Sequence, residues 1–411
     1  MVLDWEGACG MNRRLSLACL LAVVLVLVSG LVAQTEQTLY SFTGGADGDN
    51  PLSSLVMDAS GNLYGTTFVG GLINAGVVYE LSPDGNGWTQ TVVHTFTGEA
   101  DGANPYYADV ILDRNGNLYG TTVNGGSSNL GVVFELSPDG NGGWTETVLH
   151  SFSGGVDGAN PYSGLVLDPY GNLYGTTYSG GGYDVGTVFQ LKRGTGGHWT
   201  ENVIYTFDIK TGSGPVGGLV FDSKGDLFGT TQSGGASQVG VVYMLQYVGK
   251  NKWAPRVIHN FTGGADGGYP YAERLIFDKA GNLYGTTEGG GVNNWGVAFK
   301  LFQSSTGWKE QVLYRFNGAV ESNPFSGVVM DGVGNLYGTC ANGNMTTTVG
   351  SIYKLTPSSG GKYTESDLYL FTGKDGQFPQ SGLLRDKAGN LYGTTLQGGE
   401  SNRGVVFELS Q

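Results

Sequence analysis

The amino-acid sequence predicts an all-β chain closed into a seven-bladed β-propeller of four-stranded antiparallel blades. Three observations carry this expectation. The phrase D-x-x-G-N-L-Y-G-T-T, with two close variants, occurs seven times. Its copies follow one another at the length of one blade. Between them run short aromatic and β-branched segments separated by glycine turns, with no helical periodicity.

The copies begin at Asp58, Asp113, Asp168, Asp222, Asp278, Asp331 and Asp386, at spacings of 55, 55, 54, 56, 53 and 55 residues. A fixed period of this length marks a repeat architecture. One copy shows the unit. Gly164–Asp168 is a short strand a, and Pro169-Tyr170-Gly171 turns the chain into strand b, Asn172–Tyr178. A glycine loop leads to strand c, Gly186–Lys192, and a second turn leads to strand d, Trp199–Phe207. Four strands per repeat define a propeller blade.

Strand d ends at Phe96, Phe152, Phe207, Phe261, Phe316 and Phe371, one short of the number of blades. The missing copy precedes the first blade, at Thr38–Phe42, whereas the chain finishes on strand c, Gly404–Leu409. The N-terminal strand is therefore expected to complete the last blade and cover its open edge.

The formal charge of −14 and pI near 4.6 argue against nucleic acid and anionic membranes as partners. Residues 1–33 read as a signal peptide, with the positive stretch Asn12-Arg13-Arg14 and the apolar run Leu15–Val28, and with Met11 as an alternative start. The expected mature chain, 34–411, is a single secreted or periplasmic propeller domain, a monomer without a membrane span. Cys9 and Cys19 leave with the leader, so Cys340 has no disulfide partner and is read as buried and inert.

The text G-N-L-Y-G-T-T, then G-G, then G-V-V-F-E-L, then W-T-E-T-V-L-H-S-F resembles the GloVer tandem-repeat family of secreted bacterial proteins, from Thr38 to Ser410. The a–b phrase resembles NHL-type propeller repeats more loosely. The resemblance implies export and a repeat fold, and no established catalytic activity. Some relatives carry a C-terminal surface anchor, which this sequence does not display.

Candidate site residues come from the loops. The aspartate that opens each repeat phrase fits a type I turn, its carboxylate binding backbone N–H groups. A second recurrent segment, F-x-G-x-x-D-G, precedes strand a and supplies Asp47, Asp101, Asp157, Asp266 and, shortened, Asp375; Asn-Pro follows at Asn50, Asn104 and Asn160. The d-to-a and b-to-c connections emerge on one face of a propeller, so these loops and the Gly-Gly loops are the first candidate for a binding surface. Two readings of the acidic loops stand, turn chemistry and hard oxygen ligands for Ca²⁺. Trp295 joins the candidates because no other b–c loop holds so large an aromatic. His94, His150 and His259 share a strand-d position with Tyr40, Tyr205, Tyr314 and Tyr369, which indicates packing. Trp88, Trp144, Trp199, Trp253 and Trp308 open strand d and are read as core or rim. No catalytic residue or metal ligand is assigned.

The leading functional expectation is a non-enzymatic scaffold that binds a glycan, a peptide or a protein. The alternatives are a lyase or hydrolase using carboxylates or a divalent cation at the channel mouth, and a structural or adhesion element. Propellers host all of these.

Overall fold

A computed structural model describes residues 34–411 apart from 86, 272–273, 319–321 and 343–348. The signal-peptide reading of 1–33 lies outside the described residues. Seven four-stranded antiparallel sheets make seven blades. In blade 1 strand a is Val56–Met57, b is Leu63–Thr67, c is Val77–Pro83 and d is Trp88–Thr95. Blades 2 to 6 repeat this order. Blade 7 takes a, b and c from the C-terminal end, and its outer strand is Thr35–Ser41. That strand pairs with Val405–Ser410 from Thr35↔Ser410 to Ser41↔Val405. Leu39 and Phe42 are buried in the closing blade.

Strand b is buried along its whole length in every blade. This follows from sandwiching each sheet between two neighbours, so that both faces need apolar or satisfied side chains. Its central glycine is required by packing. A Cβ on Gly120 would lie 2.5 Å from the ring of Phe134, and one on Gly175 2.6 Å from that of Phe189. The first threonine after that glycine ties blade to blade. Thr121 Oγ1 donates to the Ser163 carbonyl at 3.0 Å, Thr339 Oγ1 to Ser381 at 3.1 Å, and Thr394 Oγ1 to Ser53 at 3.2 Å across the closing seam.

Strand d is not in continuous register with strand c. In each blade the c–d ladder slips by one residue at the same place, as between Val133↔His150 and Phe134↔Val148. The extra residue, Leu149 here, is a β-bulge whose side chain packs against the core between blades. Strand a is also shorter than expected, with two paired residues in each blade.

Candidate functional site

The d–a and b–c loops meet on one face, joined by isolated bridges such as Asp49↔Val69, Ala103↔Asn124 and Gln377↔Gln397. Each recurrent loop aspartate binds its own loop. Asp101 accepts the Thr97 N–H at 2.8 Å and its hydroxyl at 2.5 Å. Asp157 accepts the Ser153 N–H and hydroxyl, Asp266 those of Thr262, and Asp375 those of Thr372. Asp47 takes four donors, from Thr43, Gly45 and the Tyr40 hydroxyl. Burial pushes Asp47 up, but these hydrogen bonds outweigh it and hold the carboxyl below its ordinary value.

The shared His/Tyr position in strand d is therefore more than packing. Its polar end faces the loop aspartate: the Tyr40 hydroxyl donates to Asp47 at 3.0 Å, and the Nε2 atoms of His94, His150 and His259 lie 3.4, 3.5 and 3.8 Å from Asp101, Asp157 and Asp266 without a hydrogen bond. A glutamate from the next blade faces the same aspartate. Burial, aided by the Asp101 charge, pushes Glu146 up to about 7. Glu201 beside Asp157 and Glu310 beside Asp266 are likewise raised to about 7 by burial first. Burial lowers the three histidines against the pull of their carboxylates.

Asn50, Asn104 and Asn160 form a latch between blades. All three adopt left-handed φ, between 54° and 57°, which asparagine tolerates better than most residues. The Asn104 N–H donates to the Ala75 carbonyl of the preceding blade at 2.7 Å, and that of Asn160 to Leu130 at 2.8 Å. Their side-chain amides hold Phe68 and Val123 carbonyls at 3.1 and 3.0 Å. The following proline packs on the glycine that opens the previous strand c, where a Cβ on Gly76 would meet Pro105 Cδ at 2.8 Å. Trp295 occupies the register position of Ala75 and Leu130, and its carbonyl accepts the Asn323 N–H at 3.1 Å. Its half-buried indole packs on the core and lies against Gly318, so the ring is a seam element rather than a displayed platform. At the closing seam the same position is Arg403, paired with Asp49 at 2.8 Å.

The candidate residues are thus distributed around the ring among several seams. The described residues contain no group of three or more His, Cys, Asp or Glu arranged to hold a metal ion.

The mouth of the channel differs from the rim. The residues that follow the latch prolines are Leu52, Tyr106, Tyr162, Val216, Tyr271, Phe325 and Gln380. Four of these are aromatic, and with Phe68, Tyr107 and Tyr178 they form a chain of ring contacts. Tyr106 meets Phe68 at 5.1 Å, Tyr107 at 4.6 Å and Tyr162 at 5.2 Å, and Tyr162 meets Tyr178 at 4.7 Å. Tyr107 crosses the axis. Its ring lies 5.6 Å from Tyr271 of blade 5 and its hydroxyl donates to Gln380 of blade 7 at 2.8 Å. Only 6% exposed, and held at φ 47°, Tyr107 closes the channel beneath the loop face.

Charge is as uneven as the mouth. Residues 34–191 carry one arginine and sixteen carboxylates, whereas 192–411 carry eighteen lysines and arginines and seventeen carboxylates. The carboxylate excess therefore lies in blades 1 to 3, which also carry Phe68, Tyr106, Tyr162 and Tyr178.

Sequence reasoning passed over Tyr107 because it does not recur. One signal was present. From latch proline to turn aspartate the count is eight residues in blades 2 and 5 and seven elsewhere. The longer segments carry Tyr107 and Asp109 in blade 2, and Tyr271 and Arg274 in blade 5.

The architecture and its regular seams define a β-propeller of tandem repeats. The chain belongs to the Gloeobacter/Verrucomicrobia repeat family, whose model matches residues 28–243 and 221–411. No curated protein matches the chain. Among solved structures it is similar to PorZ, a surface component of the type-IX secretion system of Porphyromonas gingivalis (TM-score 0.53, 16% identity, 88% of this chain and 47% of that one). It is similar also to a puromycin-hydrolyzing peptidase of Mycobacterium tuberculosis (TM-score 0.52, 11% identity, 88% and 52%) and to an ancestral GH74 enzyme (TM-score 0.51, 14% identity, 88% and 51%). This chain spans about half the length of each, and at these identities the likeness is one of fold. No helix among the described residues is long and apolar enough to cross a membrane.

Proposed function

We propose that the protein is an exported, non-enzymatic binding propeller whose contact surface is the aromatic mouth on the loop face. The observation that carries this reading is the contiguous ring chain from Phe68 through Tyr106 and Tyr162 to Tyr178, over a channel closed by Tyr107. Tyrosines in such a floor offer an apolar face and a hydroxyl together. That combination suits a glycan, whose sugar rings alternate apolar faces with hydroxyl groups. Tyr178, 38% exposed, is the most accessible of these four rings. The loop aspartates support the same reading indirectly, since their oxygens already accept donors from their own loops.

The test is thermal unfolding and calorimetry of the secreted protein against a panel of neutral and basic oligosaccharides. A ligand that binds only the folded state raises the midpoint. Tyr178→Ala is expected to weaken glycan binding by at least tenfold without lowering the midpoint of the free protein. Glycans that bind equally well to that variant would contradict the reading, and hydrolysis of a panel member would replace it with the enzyme alternative.

A further inference from the structure

Below Tyr107 the channel holds a second site that the loop face does not share. Four residues before the turn aspartate, strand a approaches the axis with Ser54, Asp109, Gly164, Gly218, Arg274, Gly327 and Gly382. Four blades place glycine there, and the two blades with the longer segment place an acid and a base. The glycines make room for them. A Cβ on Gly164 would lie 3.0 Å from Asp109 Cβ, and one on Gly327 2.5 Å from the Arg274 carbonyl.

The two charged groups are held from opposite sides. Asp109 Oδ1 accepts the Ser54 N–H at 2.7 Å. Arg274 reaches toward blade 3 and donates from Nη2 to the Leu165 carbonyl at 3.2 Å, while its Nε is buried without a partner. They interact through space, but no direct ion pair joins them. Burial raises the Asp109 carboxyl, and Arg274 pulls it back toward the ionised form. Both line a cavity of about 330 Å³ whose wall, apart from Ser54, Gly327 and Gly382, is otherwise aliphatic and includes Val56, Ile111, Ile276, Val329 and Leu384. This size is at the small end of ligand pockets, about 300–1,000 Å³.

We infer that this cavity binds a small zwitterion with an apolar body, of the class of an apolar α-amino acid, its ammonium on Asp109 and its carboxylate on Arg274. A carboxylate and a guanidinium that are desolvated but not in contact leave an opening for a group that pairs with both. A lone amine would leave Arg274 unmatched, and a lone acid would leave Asp109 unmatched; each would also bring a net charge into a low-dielectric site. The zwitterion matches both and is neutral overall, and its side chain takes the aliphatic wall. Its lining shares no residue with the aromatic mouth, so the two sites are separate.

The experiment is isothermal titration of the intact secreted protein with L-leucine and L-phenylalanine. Isoamylamine, 4-methylpentanoate and glycine serve as the probes lacking one feature each. The inference expects the two apolar amino acids to bind, with each probe at least tenfold weaker. Asp109→Asn and Arg274→Gln are each expected to abolish binding, while Tyr178→Ala leaves it unchanged. Should either channel variant fail to fold, Val329→Phe, which fills the cavity from its aliphatic wall, is expected to block binding. Equal binding of the amine or acid alone overturns the inference, as does the absence of binding by both amino acids to the wild-type protein.

Discussion

The rim and the channel of this propeller are built from the same repeats and behave oppositely. On the rim, every recurrent acid has a donor set in its own loop, as Asp101 has in Thr97 and Asp157 has in Ser153. In the channel, Asp109 and Arg274 occur once each, at a position that is glycine in four other blades. Repetition here marks what holds blade to blade, and the break in repetition marks the proposed ligand site. The comparison predicts that substitutions at recurrent positions lower stability, and that substitutions at singular ones alter binding.

The largest effect is expected at the closure. Removing residues 34–42 exposes the edge of Val405–Ser410 and takes Leu39 and Phe42 out of the core. Each is worth about 1.5–3 kcal/mol of burial. The truncated chain is expected to lose its cooperative thermal transition or to melt far below the intact protein. An unchanged midpoint would show that the ring does not depend on this strand.

A smaller but substantial loss is expected for Gly120→Val, because the new side chain enters the space of Phe134. Overpacking of this kind costs roughly 1–3 kcal/mol, measurable by urea unfolding. Asn160→Ala should follow, at about 1–2 kcal/mol, from the lost amide bond to Val123 and the strain at φ 54°. Tyr178→Ala, at a singular exposed ring, is expected to stay within about 0.5 kcal/mol. Equal costs for Asn160→Ala and Tyr178→Ala would erase the distinction between rim and mouth.

The subtlest effect is on pH dependence. Folded Glu146, Glu201 and Glu310 hold their protons up to about 7, against 4.5 for the free side chain. The folded state binds the extra protons in that interval, so their contribution to stability is greatest below 4.5 and falls as pH rises through about 7. The histidines oppose this. Their lowered values favour the folded state progressively as pH rises toward 6.5. The triple replacement of these glutamates by glutamine is expected to raise the midpoint at pH 8 by about 1–3 °C and to change little at pH 4.5. A gain at acid pH instead would reverse the assigned sign.

Much of the fold was legible because a propeller repeats its instructions. The period, the four strands and the closure by Thr38–Phe42 could all be counted from the turn aspartates and the terminal phenylalanines. The bulge at Leu149 was not legible, since alternation within one strand carries no information about its offset from the next. The polar role of His94 was hidden behind its exchange with tyrosine, although both rings face the same aspartate. Trp295 drew notice by its size, yet its place in the register is that of Ala75, and the loop at Gly318 lies over it. Asp109, Arg274 and Tyr107 were missed for a physical reason. They come together only through ring closure, which brings blades 2, 5 and 7 around one axis and leaves no trace in sequence separation.

The most direct test of the contrast between rim and channel is thermal unfolding of residues 34–411 with EDTA and with excess Ca²⁺. If the recurrent aspartates serve their own loops and seams, the midpoint is the same in both. A Ca²⁺-dependent rise would mean that the repeated acidic loops are metal sites, and would contradict the assignment of the rim to structure alone.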